Sequence, residues 1–184
     1  MSFRGRRMRT DRPLIMAIIN RTPDSFFDGG ANLRSDAARE AITRAVDDGA
    51  DIIDIGGVKA GTQGADVDVD EELRRVVPIV AWAAEQHPNV AISVDTWRHE
   101  VGREVCEAGA HLINDTWAAA DPELMNVAGT YRAGYVCSHT GGLRPHTDPH
   151  RVRYTDVVAD VTEGVTMLAE RAVSNGVPRD GVLI

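Results

Sequence analysis

The sequence has 184 residues, a net charge of −8, 43% hydrophobic and 26% charged residues. That length suits one domain with a sizeable core, no apolar run approaches the ~20 residues of a membrane span, and the acidic balance argues against a nucleic-acid-binding surface. Cys106 and Cys137 fall in different predicted elements without metal-ligand spacing, so they read as buried free thiols rather than a disulfide or zinc site.

Five arginines crowd residues 1–12, which read as a basic, solvated and disordered tail ahead of a domain covering 13–184. The apolar run after it, LIMAII, is too short for a signal peptide and reads as a first strand, with a cytoplasmic location as the expectation. Six such runs begin near residues 14, 51, 90, 111, 134 and 181. Between them lie helical patterns. The first covers 35–48, with Ser35 to cap it and Gly49 to stop it. The second covers about 70–86 from an Asp70 cap, with Pro78 expected to kink it or delay its start. The third and fourth cover about 98–108 and 121–131, the fourth opening on Asp121-Pro122. The fifth covers about 155–174, with Val158, Val161, Val165, Leu168 and Ala172 on its apolar stripe.

Strict strand–helix alternation implies parallel strands, in either an open doubly wound sheet or a closed (β/α)8 barrel. Polar residues end several strands: Asn20, Asp54, Asp95, Asn114 and Asp115, and His139. A barrel gathers such ends on one rim, whereas an open sheet uses one switch point and a glycine-rich phosphate loop after its first strand. No GxGxxG follows the first strand here, and the barrel is the preferred class. It is an incomplete one. The chain stops in its sixth strand, and such barrels need about 250 residues. The expectation is a carboxy-terminally truncated chain with no useful activity by itself.

The loop after the first strand reads Asn20-Arg21-Thr22-Pro23-Asp24-Ser25-Phe26-Phe27-Asp28-Gly29-Gly30. As separate residues these are ordinary turn formers. As a string they resemble the opening signature of the dihydropteroate synthase family, and Asp51–Gly57, Ser93-Val94-Asp95-Thr96 and Ile113-Asn114-Asp115 match the same family in order. The resemblance extends from Leu14 to Ile184, and it implies a (β/α)8 barrel that joins p-aminobenzoate to 6-hydroxymethyl-7,8-dihydropterin pyrophosphate, releasing pyrophosphate in folate biosynthesis. It assigns pterin binding to Asp95 and Asn114, and contact with pyrophosphate and a Mg2+ cofactor to Asn20. It also places Asp24, Phe26 and Asp28 near the reacting carbon as catalytic residues on a closing loop, and it implies a possible homodimer for the full-length protein. Each role has a plainer alternative. Asp95 is placed to cap the third helix, Asn114 to satisfy loop amides, and His139 to be a hydrogen-bonded structural histidine.

The sequence departs from the family after Gly56-Gly57. Val58-Lys59-Ala60-Gly61 stands where synthases carry a loop whose threonine and arginine hold substrate, and this resembles a divergent second paralogue of actinobacteria. Three readings follow: a dihydropteroate synthase-type transferase, a non-catalytic homologue acting as a binding or regulatory subunit, and a corrinoid-type methyl-transfer domain. The intact first loop disfavours the third.

Overall fold

A computed structural model describes residues 1–21, 31–58, 67–145 and 152–184, with backbone alone at 31–34. At the amino terminus two antiparallel strands, β1 (Ser2–Phe3) and β2 (Arg6–Arg7), pair across a turn formed by Arg4 (φ 50°) and Gly5 (φ 80°). Positive φ at both central residues is the hairpin geometry whose twist matches that of the strands. The expected disordered tail is therefore corrected to a packed hairpin. Charge density masked two local signals, the Arg-Gly turn and Phe3, whose ring is fully buried. The arginines are also spent. Arg4 donates to the carbonyls of Cys106 and Ala110, and Arg6 to that of Pro88, so both guanidiniums tie the hairpin to backbone just where helical segments end.

The main sheet comprises six parallel strands: β3 (Met16–Asn20), β4 (Ile52–Gly56), β5 (Ala91–Asp95), β6 (Leu112–Asp115), β7 (Gly134–Cys137) and β8 (Val182–Leu183). They neighbour one another strictly in chain order, so the sheet has no point where strand order reverses. A doubly wound sheet requires such a reversal; a (β/α)8 barrel does not. The architecture is a partial barrel. Its two edges carry exposed isoleucines, Ile15 and Ile18 by β3 and Ile184 after β8.

Five helices alternate with the strands: α1 (Ala31–Asp47), α2 (Val69–Gln86), α3 (His99–Glu107), α4 (Glu123–Tyr131) and α5 (Val157–Ser174). α1 starts before Ser35. α2 is capped by Asp68, which accepts from the Glu71 amide at 2.8 Å, rather than by Asp70, and it runs unbroken through Pro78. In α5 only Leu168 and Ala172 of the expected stripe are buried, and Val158 is 72% exposed. β7 and β8 offer four and two residues of sheet, too little to cover an eighteen-residue helix.

Alternation along each strand separates two cores. One residue set, including Ile53, Ile55, Ile92, Val94, Ile113 and Tyr135, faces outward and packs under the helices. The opposite set faces the barrel axis, where Phe3 of the hairpin closes the amino-terminal end against Ile52, Ala91 and Leu112. Gly134 is required there, because a Cβ would sit 2.4 Å from Phe3 Cδ1, 2.8 Å from Leu112 Cδ1 and 3.0 Å from the Gly181 carbonyl oxygen. The apolar floor leaves the carboxyl-terminal ends of the strands as the polar side of the interior.

Candidate functional site

Register builds the site. Asn20 pairs with Gly56, Gly56 with Asp95 and Asp95 with Asn114, so four consecutive strands contribute one row at their carboxyl ends. Gly56 opens the gap in this row: a Cβ there would lie 3.5 Å from Asn20 Oδ1 and 3.8 Å from Asp95 Oδ2. Two residues earlier, on the same strand faces, Asp54 pairs with Ser93 to make a second polar layer. Both residues are buried.

The layers are hydrogen-bonded together. Ser93 Oγ donates to Asp54 Oδ1 at 2.5 Å, and Asn114 Nδ2 donates to Asp54 Oδ2 at 3.1 Å. Thr116 Oγ1 donates to Asp95 Oδ1 at 3.2 Å. Burial, followed by the nearby negative charge of Asp54, pushes the Asp95 carboxyl up to about 7 against the opposing Thr116 hydrogen bond. The Asp54 carboxyl is also raised by burial, with Ser93 and Asn114 opposing. A carboxyl poised near neutrality beside a carboxamide offers acceptors and, when protonated, a donor to a heterocycle edge.

The plainer readings of the two residues find no support in these contacts. The third helix takes its amino-terminal hydrogen bonds from Thr96, which accepts from the Arg98 amide at 3.2 Å, and from Asp121, which accepts from the His99 amide at 2.9 Å. Asp95 is not its cap. Asn114 spends its amide on a carboxylate, not on loop amides. Asp115 is the structural member of its pair: facing outward, it accepts from the Trp117 and Ala119 amides at 2.8 and 2.7 Å and from Tyr135 Oη at 2.6 Å. That carboxylate holds a turn in which Ala118 (φ 53°) and Ala119 (φ 57°) are both left-handed.

Asn20 stands exposed at the end of β3, and Asp24, Phe26 and Asp28 lie outside the described residues, as do Lys59, Ala60 and Gly61. His139 bonds Asp160 Oδ1 through Nε2 at 2.6 Å. It lines a cleft of about 830 Å3 together with Trp97, Trp117, Arg98, Leu143 and Met167, over the loops after β5, β6 and β7. Asp95 and Asn114 do not line that cleft, whose polar lining is a separate set that includes Arg98, Asp121 and Asp160.

Sequence reasoning lists Asp54 among polar strand ends, and Ser93 within a family motif, but gives neither a role in the site, and it assigns none to Glu72. Strand parity held the signal: Asp54 shares a face with Gly56, and Ser93 with Asp95. Glu72, fully buried on α2, pairs with Arg98, whose Nη2 also donates to the Val67 carbonyl at 2.7 Å, while Arg75 donates to the Gly57 carbonyl at 2.9 Å. Gly57 and Val67 are thus each fastened through a backbone carbonyl.

The sequence pattern of the family described as "Pterin binding enzyme" matches residues 16–184, the whole barrel portion. The chain belongs to this family. Among dihydropteroate synthases, it is 56% identical over 184 residues to the Mycobacterium leprae protein named inactive dihydropteroate synthase 2, covering 98% of this chain and 63% of that protein. It is 37% identical over 164 residues to dihydropteroate synthase of Bacillus subtilis, covering 89% and 56%. The solved Xanthomonas albilineans dihydropteroate synthase with 4-aminobenzoic acid superposes with a TM-score of 0.82 at 35% identity, covering 94% of this chain and 60% of that one. The chain therefore spans about three-fifths of the length of these relatives. Among the described residues of this dihydropteroate synthase relative, no helix is long and apolar enough to cross a membrane.

Proposed function

We propose that Asp95 and Asn114 bind the pterin ring of 6-hydroxymethyl-7,8-dihydropterin pyrophosphate, with Asn20 at its pyrophosphate end, and that the full gene product condenses it with p-aminobenzoate to give dihydropteroate and pyrophosphate in the cytoplasm. One observation carries the reading: Asp95 and Asn114 are register partners on adjacent strands, partly buried, and neither is used by a helix cap or a loop amide. A pterin edge is a row of amide-like donors and acceptors, which suits a carboxyl beside a carboxamide. The 35% identity to a synthase solved with 4-aminobenzoic acid supports p-aminobenzoate as the second substrate.

Asn20 offers a single neutral oxygen at the open rim, next to the gap at Gly56. That fits Mg2+, a hard cation that keeps several waters and needs few protein oxygens when it shares a phosphate. Bound there, Mg2+ would supply positive charge for the departing pyrophosphate. Among the described residues the three metal-ligating side chains that cluster, His99, Glu100 and Asp121, stand at the start of α3 instead. Asp24, Phe26 and Asp28 are assigned to the closing first loop by resemblance, where they would exclude water and stabilise positive charge on the pterin methylene.

A second reading keeps pterin binding and drops turnover. It is favoured by Val58-Lys59-Ala60-Gly61 in place of the substrate-holding loop, and by the name inactive dihydropteroate synthase 2 borne by the M. leprae relative. Calorimetric titration of the full gene product with the pterin pyrophosphate and Mg2+, followed by an assay of pyrophosphate release with p-aminobenzoate, separates them. Binding with release supports the transferase. Binding without release supports the second reading, and no binding defeats both.

A further inference from the structure

Asp54 lies beneath the pair that faces the proposed ligand, 3% exposed, with both carboxylate oxygens engaged. An ionised carboxylate only accepts hydrogen bonds, so the end of the Asn114 carboxamide that meets Asp54 Oδ2 at 3.1 Å is its nitrogen. Oxygen and nitrogen of a carboxamide are nearly isosteric, and nothing in its shape chooses between the two flips. The partner chooses. Ser93, donating to the other oxygen at 2.5 Å, keeps the Asp54 carboxylate from rotating away.

We propose that Asp54 is a positioning residue that locks the Asn114 carboxamide in one flip, so that Asn114 presents its oxygen, an acceptor, beside Asp95. On this account the Asp95–Asn114 pair shows adjacent acceptors and selects a heterocycle edge carrying N–H donors. The proposal rests on the pterin reading of the site given above. It adds that specificity at this edge is set one layer below, by a residue that never touches the ligand.

The test is a four-protein cycle in the full gene product, with 6-hydroxymethylpterin as the titrant and thermal unfolding as the check on folding. Asp and Asn are isosteric, so every member keeps the core volume. In Asp54→Asn the new amide no longer forces the flip, and affinity is expected to fall by about tenfold or more. In Asn114→Asp two carboxylates face each other, and affinity falls again. The double variant Asp54→Asn, Asn114→Asp reverses the hydrogen bond while returning an acceptor to the ligand side, and it is expected to recover to within about threefold of wild type. Asp54→Glu keeps the charge but shifts the carboxylate out of register, and it is expected to bind as weakly as Asp54→Asn.

Wild-type affinity in Asp54→Asn or Asp54→Glu, or no recovery in the double variant, would overturn the lock. Should a variant fail to fold, the wild-type protein still decides: the two Nδ2 protons of Asn114 must exchange with water at different rates, and equal rates overturn the proposal. Failure of the wild type itself to bind 6-hydroxymethylpterin would instead defeat the pterin reading, a distinguishable outcome.

Discussion

Arg98 forms an ion pair with Glu72 in which the carboxylate is entirely buried and the guanidinium covers the face of Trp97, its carbon 4.4 Å from the ring centroid. The same arginine fastens Val67, so one side chain joins α2, the loop after β5 and the backbone just ahead of α2. Arg98→Ala leaves Glu72 buried without its cation and the Val67 carbonyl without its donor. Removing one partner of a buried pair costs about 3–5 kcal/mol. Urea unfolding should show a loss of that order, and Arg98→Lys should recover only part of it, because a point charge cannot serve Glu72 and Val67 as a fork does. A loss below about 1 kcal/mol, the worth of an exposed pair, would show that the clamp carries no stability.

The hairpin gives a second expectation. Phe3→Ala empties the floor of the barrel and should cost about 3–5 kcal/mol, as large core truncations do. Gly134→Ala should be destabilising too, because its Cβ would meet Phe3 Cδ1 at 2.4 Å. The double variant should be less destabilised than the sum of the two, since removing the ring also removes one of the clashes; thermal or urea unfolding of the three proteins checks this coupling. Strict additivity would mean that the ring does not seat against Gly134.

The strand–helix alternation was legible from hydrophobic periodicity, and the preference for a barrel over a doubly wound sheet from the polar residues at strand ends, Asp95 and Asn114 among them, and from the lack of a GxGxxG after the first strand. Register was not. Nothing in local sequence says that Asp54 stands opposite Ser93 and within reach of Asn114, because that depends on the stagger of neighbouring strands. The cap of α2, read at Asp70 from the sequence, falls at Asp68, because aspartates at every second position leave the choice to the geometry of the first turn. Val158 follows the helical stripe yet stays exposed, because burial depends on a neighbouring surface and not on periodicity alone.

Tyr135 and Asp115 support the turn that carries Trp117. The Tyr135 hydroxyl donates to Asp115 Oδ2 at 2.6 Å, in the outer core and away from the Asp95–Asn114 face. Tyr135→Phe removes a hydrogen bond to a charged group and should cost about 1.5–3 kcal/mol, while pterin affinity stays within about threefold of wild type. Unfolding curves and titration of the same preparation measure both quantities. A tenfold loss of affinity with unchanged stability would reverse the assignment of Asp115 as structural.

Stability should also depend on pH through Asp95. Its carboxyl lies near 3.8 in the unfolded chain and is pushed up to about 7 in the folded one, so the folded state holds the proton more tightly. The sign follows from linkage: the contribution is fully present below about pH 4, declines as pH rises towards 7, and is constant above that. Asp54, Glu72 and Asp115, raised by burial as well, act in the same direction, whereas Asp51 and Asp121, which are lowered, oppose it. The difference between two proteins isolates the Asp95 share. Asp95→Asn removes its own titration, so its stability should fall less steeply than that of wild type between pH 4 and 7. With about 1.4 kcal/mol per pKa unit, the two curves should separate by a few kcal/mol across that window, the variant being the relatively more stable at pH 7. Parallel curves from pH 4 to pH 8 would mean that Asp95 is ionised throughout, and that the site meets its ligand with a fixed negative charge rather than with a carboxyl able to hold a proton.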